Sequence, residues 1–92
     1  MKYNFPAVKF IQTNTIQQQI EHVLSEAREV KDAFEACQNE TGSVEHLELE
    51  LGDLYHSMES LFRIKAKQDG AACVTLLLQQ VFDKNDERGY YE

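Results

Sequence analysis

The stretch that decides the fold is Ile16-Gln-Gln-Gln-Ile-Glu-His-Val-Leu-Ser-Glu-Ala-Arg-Glu-Val-Lys-Asp-Ala-Phe-Glu-Ala-Cys37. Its apolar residues recur at alternating steps of four and three, which places them on one side of an α-helix. The members of this first apolar stripe are Ile16, Ile20, Val23, Ala27, Val30, Phe34 and Cys37. At its start, Thr15-Ile-Gln-Gln18 has the pattern of a capping box. The stretch therefore predicts a long helix with a seam for a partner helix.

A second helix with the same kind of pattern follows after a polar turn. Residues 38–43 are rich in turn formers, and Ser43 suits the N-cap of a new helix. This helix is predicted to end near Asp69. Its own apolar stripe, the second, consists of Val44, Leu47, Leu51, Leu54, Met58 and Leu61. Because a short loop makes consecutive helices antiparallel, the two are expected to form a helical hairpin.

A third, shorter helix is predicted over about residues 71–83. Its apolar residues occur on nearly every side: Cys73, Val74, Leu76, Leu77, Leu78, Val81 and Phe82. Such a helix needs cover on several sides, and a chain of 92 residues has little other structure to provide it. The predicted fold is all-α: an antiparallel helical hairpin plus a short third helix, completed into a helical bundle by association into a homodimer or homotetramer.

The chain divides into an N-terminal arm of residues 1–13 and a helical domain of residues 14–92. The arm contains several large apolar residues: Tyr3, Phe5, Val8, Phe10 and Ile11. Two arrangements stay open from the sequence. The arm packs on a neighbouring subunit, or it lies on the chain's own bundle.

Composition excludes several classes of function. A formal net charge of −7 opposes binding to a nucleic-acid backbone, which needs clustered Lys and Arg. No segment approaches the roughly 20 apolar residues of a membrane span. Residues 1–12 lack the apolar run of a signal peptide, so a cytoplasmic protein is expected. Cys37 and Cys73 lie in apolar helical stretches, where we expect buried thiols, and their spacing offers no zinc site.

Two pairs of acidic residues are the candidate chemistry of this chain. Glu26 and Glu29 lie three residues apart on the first predicted helix, and Glu50 and Asp53 lie three apart on the second. Residues at this spacing share a helix face. Clustered carboxylates repel one another unless a divalent cation neutralises them. The pairs therefore predict a metal site, for which the alternative is a solvated acidic face.

The hairpin is expected to bring the two pairs to one groove. Each acid comes one residue before a member of its apolar stripe, so both pairs flank their stripes in the same rotational sense. In antiparallel helices this keeps them on one side, with Glu26 level with Asp53 and Glu29 level with Glu50. A solvated face should carry Lys or Arg four residues after each acid. Those positions are occupied by Val30, Ala33, Leu54 and Ser57.

The acid pairs and the end of the chain together match the pattern of a known family. The pairs stand within Ser25-Glu-Ala-Arg-Glu-Val-Lys-Asp-Ala33 and Glu48-Leu-Glu-Leu-Gly-Asp-Leu-Tyr-His56, and the end reads Lys84-Asn-Asp-Glu-Arg-Gly-Tyr90. Over residues 14–91 the chain resembles the MazG-like family of all-α nucleoside triphosphate pyrophosphohydrolases, with its E-x-x-E and later E-x-x-D motifs. The residues Asp53, His56, Glu59 and Arg63 are similarly spaced in short, phage-borne members.

This resemblance implies hydrolysis of a nucleoside triphosphate to the monophosphate and pyrophosphate. It also implies Mg²⁺, for which Mn²⁺ can substitute, on the four carboxylates Glu26, Glu29, Glu50 and Asp53. Mg²⁺ prefers oxygen ligands, keeps waters and substrate phosphates, and lowers the pKa of a bound water. A carboxylate of the group is expected to orient or deprotonate the attacking water, and we assign this role to Glu29 as a hypothesis.

Further contacts to the substrate are predicted at the end of the chain and beside the acids. The candidates for phosphate contacts, in the same or a neighbouring subunit, are Lys84, Asn85 and Arg88. The alternative for these residues is a basic helix C-terminus that complements the helix dipole. His22, one turn before Glu26, and His46, one turn before Glu50, are candidates for contacting substrate or supporting the metal ligands.

Two other classes of function stay open. Asp53 and His56 have the i, i+3 spacing of carboxylate-bridged di-iron bundles, although such sites need this unit twice. A non-catalytic helical interaction module would use the acids only for solubility or for a basic partner. The hydrolase would be colourless and Mg²⁺-dependent, the di-iron protein would absorb in the near ultraviolet when oxidised, and the module would bind no metal tightly.

Overall fold

The structure, a computed structural model that describes residues 2–91, is all-α as predicted. Its elements are a short 3-10 helix (Lys9–Gln12) and three α-helices: α1 (Ile16–Gln38), α2 (Val44–Asp69) and α3 (Ala72–Glu87). Residues 2–91 contain no β-strand. α1 and α2 form the predicted hairpin, and α3 packs against α2. Among the described residues, no helix combines the length and the apolar character needed to cross a membrane.

Local hydrogen bonds define helix ends where the sequence predicts them. The backbone N–H of Gln18 donates to the Thr15 hydroxyl at 3.1 Å, and the N–H of Thr15 donates to the Gln18 side chain at 2.9 Å, which completes the capping box. The Ser43 hydroxyl accepts the N–H of His46 at 3.1 Å and caps α2. α2 ends before Gly70, whose φ of 93° favours glycine.

α1 packs on α2 along a face that shares only half of the first apolar stripe. Ile20 and Phe34 leave 43% and 50% of their surface exposed, whereas Gln19 and Ala33 are buried. The buried and half-buried residues of α1 are Ile16, Gln19, Val23, Glu26, Val30, Ala33, Ala36 and Cys37. In the interface, Gln19, Glu26 and Ala33 therefore take the place of the neighbouring stripe residues Ile20, Ala27 and Phe34, which are exposed.

α2 shows the matching change. Val44 and Leu51 of the second apolar stripe are exposed. The interface positions of α2 are Leu47, Glu50, Leu54, Ser57, Leu61 and Ile64, all buried or half-buried. The prediction that the acids only flank the stripes is therefore wrong for Glu26 and Glu50, which lie within the interface. The buried amide of Gln19 favours this rotation, because a buried donor needs a partner and Gln19 Nε2 donates to the Ser57 carbonyl at 3.0 Å.

α3 is longer than the sequence predicts. It runs to Glu87 rather than ending near residue 83, so Lys84 and Asn85 lie within the helix. Only Val74 of α3 is buried, and the neighbouring Cys73 thiol donates to a backbone carbonyl of α2 at 3.8 Å. Cys73 is half-buried rather than buried, and the same holds for the thiol of α1. The contact with α2 is made by the first half of α3.

Most apolar residues of α3 are exposed in a single chain. They are Leu76, Leu77, Leu78, Val81 and Phe82. The described residues span 44 × 41 × 22 Å, so the molecule is wide in two directions and about as thick as two helices in the third. α3 therefore extends away from the hairpin, and residues 2–91 of one chain do not provide the cover that its composition requires.

The N-terminal arm lies on the chain's own bundle, which decides between the two arrangements that the sequence leaves open. The 3-10 helix packs against α2 and buries Ile11. The backbone N–H groups of Asn4 and Phe5 donate to the carboxylate of Glu59 on α2. The arm therefore runs along α2 beside the hairpin.

Candidate metal centre

Three of the four predicted carboxylates come together between α1 and α2. Glu26 and Glu29 from α1 and Glu50 from α2 each offer a carboxylate oxygen, and these oxygens all lie within 4.8 Å of one another. Glu26 and Glu29 are one turn apart on α1, and the hairpin places Glu50 beside them. We call these three residues the acidic centre.

Glu26 and Glu50 lie in surroundings that oppose their charge. Their side chains are only 14% and 16% exposed, and among the described residues the Oε2 atom of each is buried without a hydrogen-bond partner. Burial and then the negative charge of Glu29 raise the pKa of Glu26. Burial and then a hydrogen bond with Glu29 raise the pKa of Glu50. Either protonation or a bound cation would relieve this unfavourable burial of charge.

Asp53, the fourth predicted ligand, stands at the edge of the acidic centre. It does not belong to the group of oxygens within 4.8 Å of one another. Its negative charge nevertheless adds to burial and to Glu29 in raising the pKa of Glu26 and Glu50. Asp53 is therefore near enough to influence the centre electrostatically, and its role as a direct ligand stays a prediction.

Each of the two largely buried glutamates pairs with the histidine one turn earlier. His22 Nε2 lies 3.4 Å from Glu26 Oε1, and His46 Nε2 lies 3.7 Å from Glu50 Oε1. A positive charge on either imidazole would lower the pKa of its partner, but burial and Glu29 outweigh this effect in both glutamates. The two pairs occupy equivalent places on the hairpin, so His46 is as good a candidate as His22 for supporting the acidic centre.

No lysine or arginine of residues 2–91 forms an ion pair with the acidic centre. The lysines that pair with carboxylates do so elsewhere on the surface, where Lys31 pairs with Glu35 and Lys65 with Asp69. Glu29 is exposed, so the acidic centre opens to solvent on its side. Three carboxylates with one open side suit Mg²⁺, which takes oxygen ligands and keeps positions for water and phosphate oxygens. The arrangement can therefore hold a hard divalent cation and present it to an anionic ligand.

The structure does not bring the predicted phosphate contacts to the acids of the same chain. Lys84 and Asn85 lie in the last turns of α3, and Arg88 is its C-cap. The prediction that these residues lie beyond the helix is wrong for Lys84 and Asn85 and is confirmed for Arg88. The helix continues because no helix-breaking residue occurs between residue 83 and Gly89. Within the described part of the chain, Lys84 and Arg88 form no ion pair with the acidic centre. Their placement also fits the alternative of a basic helix end.

His56 does not join the carboxylates either. Its ring stacks on Phe5 with 4.3 Å between centroids, and its Nε2 atom is buried without a hydrogen-bond partner among the described residues. Neither Asp53 nor His56 belongs to the group of closely spaced ligand atoms. Among the described residues, Asp53 and His56 therefore belong to no group of three or more close ligand atoms, which a di-iron site would need.

Two buried polar side chains bind other elements of the fold in ways that the sequence did not predict. Gln19 is fully buried and bonds to α2, and Glu59 is only 2% exposed and accepts hydrogen bonds from the arm. Gln19 stands seven residues before Glu26, so the two share a helix face. That spacing is a signal that could have found Gln19. Glu59 belongs to the spacing of Asp53, His56, Glu59 and Arg63 noted in the sequence, but nothing in the sequence indicates its partners.

Comparison with models of known protein families, with curated proteins and with solved structures finds no match to this chain. The acidic centre and the spacing of the residues around it are the features of the chain that bear on its function. The strongest elements are the three close carboxylates and the buried, unpartnered oxygens of Glu26 and Glu50.

Proposed function

We propose that this chain is a Mg²⁺-dependent nucleoside triphosphate pyrophosphohydrolase. It hydrolyses an NTP or dNTP to the NMP or dNMP and pyrophosphate. The observation that carries the proposal is the convergence of Glu26, Glu29 and Glu50 within 4.8 Å, with no ion pair to Lys or Arg within residues 2–91. The resemblance of both acid pairs to the MazG-like family supports the same activity.

The chemistry needs a polyphosphate to be held and a water to be directed at it. The bond between the α- and β-phosphates is cleaved, the oxygen of water ends on one fragment and the bridging oxygen on the other, and a proton is released. Mg²⁺, when bound, supplies neutralisation of the polyphosphate and a coordinated water of lowered pKa. Glu26 and Glu50, which are largely buried, would hold the cation together with Glu29. Glu29, which is exposed beside them, orients or deprotonates the attacking water.

The enzyme acts as a homodimer or homotetramer of this chain. Exposed apolar residues on all three helices support association, because patches of this kind on soluble proteins often mark interfaces. Among them are Ile20, Leu24, Phe34, Leu51, Leu76, Leu77, Leu78, Val81 and Phe82. A second copy is also the source of the phosphate contacts from Lys84, Asn85 and Arg88, which one chain does not bring to its own acids.

The experiment that tests the activity is pyrophosphate release from a panel of ribo- and deoxynucleoside triphosphates. We expect release with Mg²⁺ or Mn²⁺ and none with EDTA. Glu50→Gln keeps the shape of the side chain and removes its charge. It should lower turnover at least about 100-fold, because even residues around metal ligands contribute 10–100-fold. The matched control is Glu48→Gln, which removes an exposed carboxylate from the same helix and should leave turnover unchanged.

Two outcomes would reject parts of this proposal. Full activity of Glu50→Gln would reject the acidic centre as the site of the reaction. Silence across the whole panel with both metals would reject the activity, and metal analysis with absorbance in the near ultraviolet would then separate a di-iron protein from an interaction module.

Light scattering of the full chain at micromolar concentration tests the association. We expect the mass of a dimer or a tetramer. A monomer would contradict the proposed assembly and, with it, the supply of phosphate contacts from a second copy.

A further inference from the structure

A single buried carboxylate anchors the N-terminal arm to α2. The N–H of Asn4 donates to Glu59 Oε2 at 2.8 Å and to Oε1 at 3.0 Å, and the N–H of Phe5 donates to Oε1 at 3.0 Å. The side-chain amide of Asn4 donates to Oε2 at 3.0 Å. Glu59 is 2% exposed, so the arm supplies the donors that its buried charge requires.

Arg63, one turn after Glu59, holds the same part of the arm. Its Nη2 donates to the carbonyl of Phe5 at 2.8 Å, and its guanidinium lies 4.0 Å from the centroid of the Tyr3 ring. Both the N–H groups and a carbonyl of the arm backbone are therefore bound by side chains of α2. This part of the arm is fixed by polar contacts rather than resting loosely on an apolar surface.

The arm also bridges the two helices that carry the acidic centre. The ring of Phe5 stacks on His56 of α2 at 4.3 Å, and the edge of Phe10 meets His22 of α1 at 6.1 Å between centroids. His22 is itself paired with Glu26. Each phenylalanine of the arm thus contacts a histidine one turn from an acid pair, on opposite helices of the hairpin.

The arm contacts both helices at the end of the hairpin opposite the connection between α1 and α2. The three carboxylates of the acidic centre repel one another across the interface, which favours separation of α1 from α2 at their level. The connection between the helices holds one end of the hairpin. At the other end, the arm and the buried bond from Gln19 to the Ser57 carbonyl add to the apolar packing of α1 on α2.

We propose that the N-terminal arm is a staple that holds α1 and α2 together against the repulsion of the acidic centre, with Glu59 as its positioning residue. The staple keeps the carboxylates at the spacing that a cation would require before any cation binds. Its link to Mg²⁺ rests on the proposed function, whereas its effect on the hairpin does not.

The test measures the effect of weakening the arm contacts in the wild-type chain and in a chain whose carboxylate repulsion is reduced by Glu50→Gln. Phe5→Ala combined with Phe10→Ala removes the bridge and leaves the bonds to Glu59 in place, and Glu59→Gln removes the anchor. Amide hydrogen exchange is followed by NMR on the full chain in divalent-free buffer. We expect the α1 amides of residues 23–30 to exchange about 10-fold faster in both variants, because a local opening becomes more populated.

The background variants decide whether repulsion is the cause. In Glu50→Gln, which removes one repelling charge, the acceleration should shrink to about 3-fold or less, whereas in Glu48→Gln it should stay near 10-fold. The same acceleration in every background, or none in the arm variants, would overturn the staple and make the arm an ordinary stabilising contact. The phenylalanine variant keeps the Glu59 carboxylate bonded, so it gives an answer even where Glu59→Gln does not fold.

Added Mg²⁺ separates this inference from the proposed function. If Mg²⁺ binds the acidic centre, it should reduce the acceleration in the arm variants as Glu50→Gln does. If Glu50→Gln reduces the acceleration of amide exchange and Mg²⁺ does not, the result supports the staple and counts against the metal site. If neither reduces the acceleration, the staple is overturned.

Discussion

Glu59 and Glu50 lie on the same helix, and the chain surrounds their carboxylates in opposite ways. Glu59 accepts two backbone N–H groups and a side-chain amide from the arm. Glu50 has a buried oxygen without a partner among residues 2–91, and it faces another carboxylate. The chain thus surrounds the carboxylate of Glu59 with its own donors, whereas it offers Glu50 only His46, 3.7 Å from Oε1, and leaves Oε2 without a partner among the described residues. This difference favours a partner from solution for Glu50.

The pKa values of the two residues move in opposite directions because their hydrogen-bond partners differ. Burial alone would raise the pKa of Glu59, but the N–H groups of Asn4 and Phe5 stabilise its charged form and bring the pKa below its usual value. Burial also raises the pKa of Glu50, and its hydrogen bond with Glu29 raises it further. The difference between Glu59 and Glu50 can therefore be tested by measuring melting temperature, the pH dependence of stability and stabilisation by Mg²⁺.

The largest expected effect is opposite changes in stability from the same substitution at the two sites. Glu59→Gln should lower the melting temperature in divalent-free buffer, because an amide nitrogen replaces one acceptor of the arm's N–H groups. Glu50→Gln should raise it by relieving carboxylate repulsion. The measurement is thermal unfolding followed by circular dichroism, with Glu48→Gln as the neutral control. Equal signs at the two sites would break the comparison.

The next effect is on the pH dependence of stability. Glu59 has a lowered folded pKa, so its contribution is present above the ordinary value of 4.5 and is lost as the pH falls through the folded pKa. Glu26 and Glu50 have raised folded pKa values, so the metal-free protein loses stability as the pH rises from 4.5 through those values. Both effects predict greatest stability in divalent-free buffer near pH 4.5, the ordinary carboxyl value.

Denaturant unfolding at a series of pH values measures these two limbs. Glu59→Gln should flatten the loss of stability below about pH 4.5, and Glu50→Gln should flatten the loss above it, because each removes the group that titrates there. If the free energy of unfolding of the wild type rose from about pH 4.5 to 7, and rose with the same slope in Glu50→Gln, the raised pKa values would be contradicted.

A smaller and more specific effect is stabilisation by Mg²⁺. A ligand that binds only the folded state at a hundred times its Kd stabilises it by about 2.7 kcal/mol. We expect a gain of this order in the wild type, retained in Glu48→Gln and lost in Glu50→Gln. The measurement is the melting temperature against Mg²⁺ concentration, with K⁺ at matched ionic strength as the control. An equal gain in Glu50→Gln would place the cation elsewhere.

The sequence predicts the ends of the helices better than it predicts the residues of the interface between α1 and α2. Thr15, Ser43 and Gly70 act on the backbone within a few residues of themselves, so a local pattern was enough to predict the helix ends they define. The end of α3 has no such signal before Gly89, and the prediction stopped it too early. The approach of Glu26, Glu29 and Glu50 followed from helical periodicity, which a hairpin preserves, whereas Asp53 lies outside this close group.

The rotation of the helices about their axes could not be predicted in the same way. The apolar pattern favoured Ile20 and Phe34, but the interface uses Gln19 and Ala33, whose contributions are a buried hydrogen bond and small size. The periodicity of apolar residues indicates neither a buried hydrogen bond nor the advantage of a small side chain. The bonds to Glu59 were hidden for another reason, since their donors are backbone N–H groups that every sequence contains.

The smallest expected effect concerns the outer part of the arm contact and sharpens the role of Glu59. Asn4 Nδ2 donates to the Tyr55 hydroxyl at 2.8 Å as well as to Glu59, and this hydroxyl lies on an exposed residue. Tyr55→Phe removes the hydroxyl and keeps the ring that lies 6.4 Å from Phe5. Because a typical hydrogen bond contributes about 0.5–1.5 kcal/mol net, we expect a loss at the lower end of that range.

Denaturant unfolding at neutral pH measures the loss, with Tyr90→Phe as the control for removing an exposed hydroxyl. The arm should keep its slow amide exchange at Asn4 and Phe5, since the bonds to Glu59 are intact in this variant. If the free energy of unfolding fell by well above about 1.5 kcal/mol and both amides exchanged fast, the Tyr55 hydroxyl rather than the Glu59 carboxylate would be the group that holds the arm. Glu59 would then no longer be the satisfied counterpart of Glu50, because its charge would not be what holds the arm.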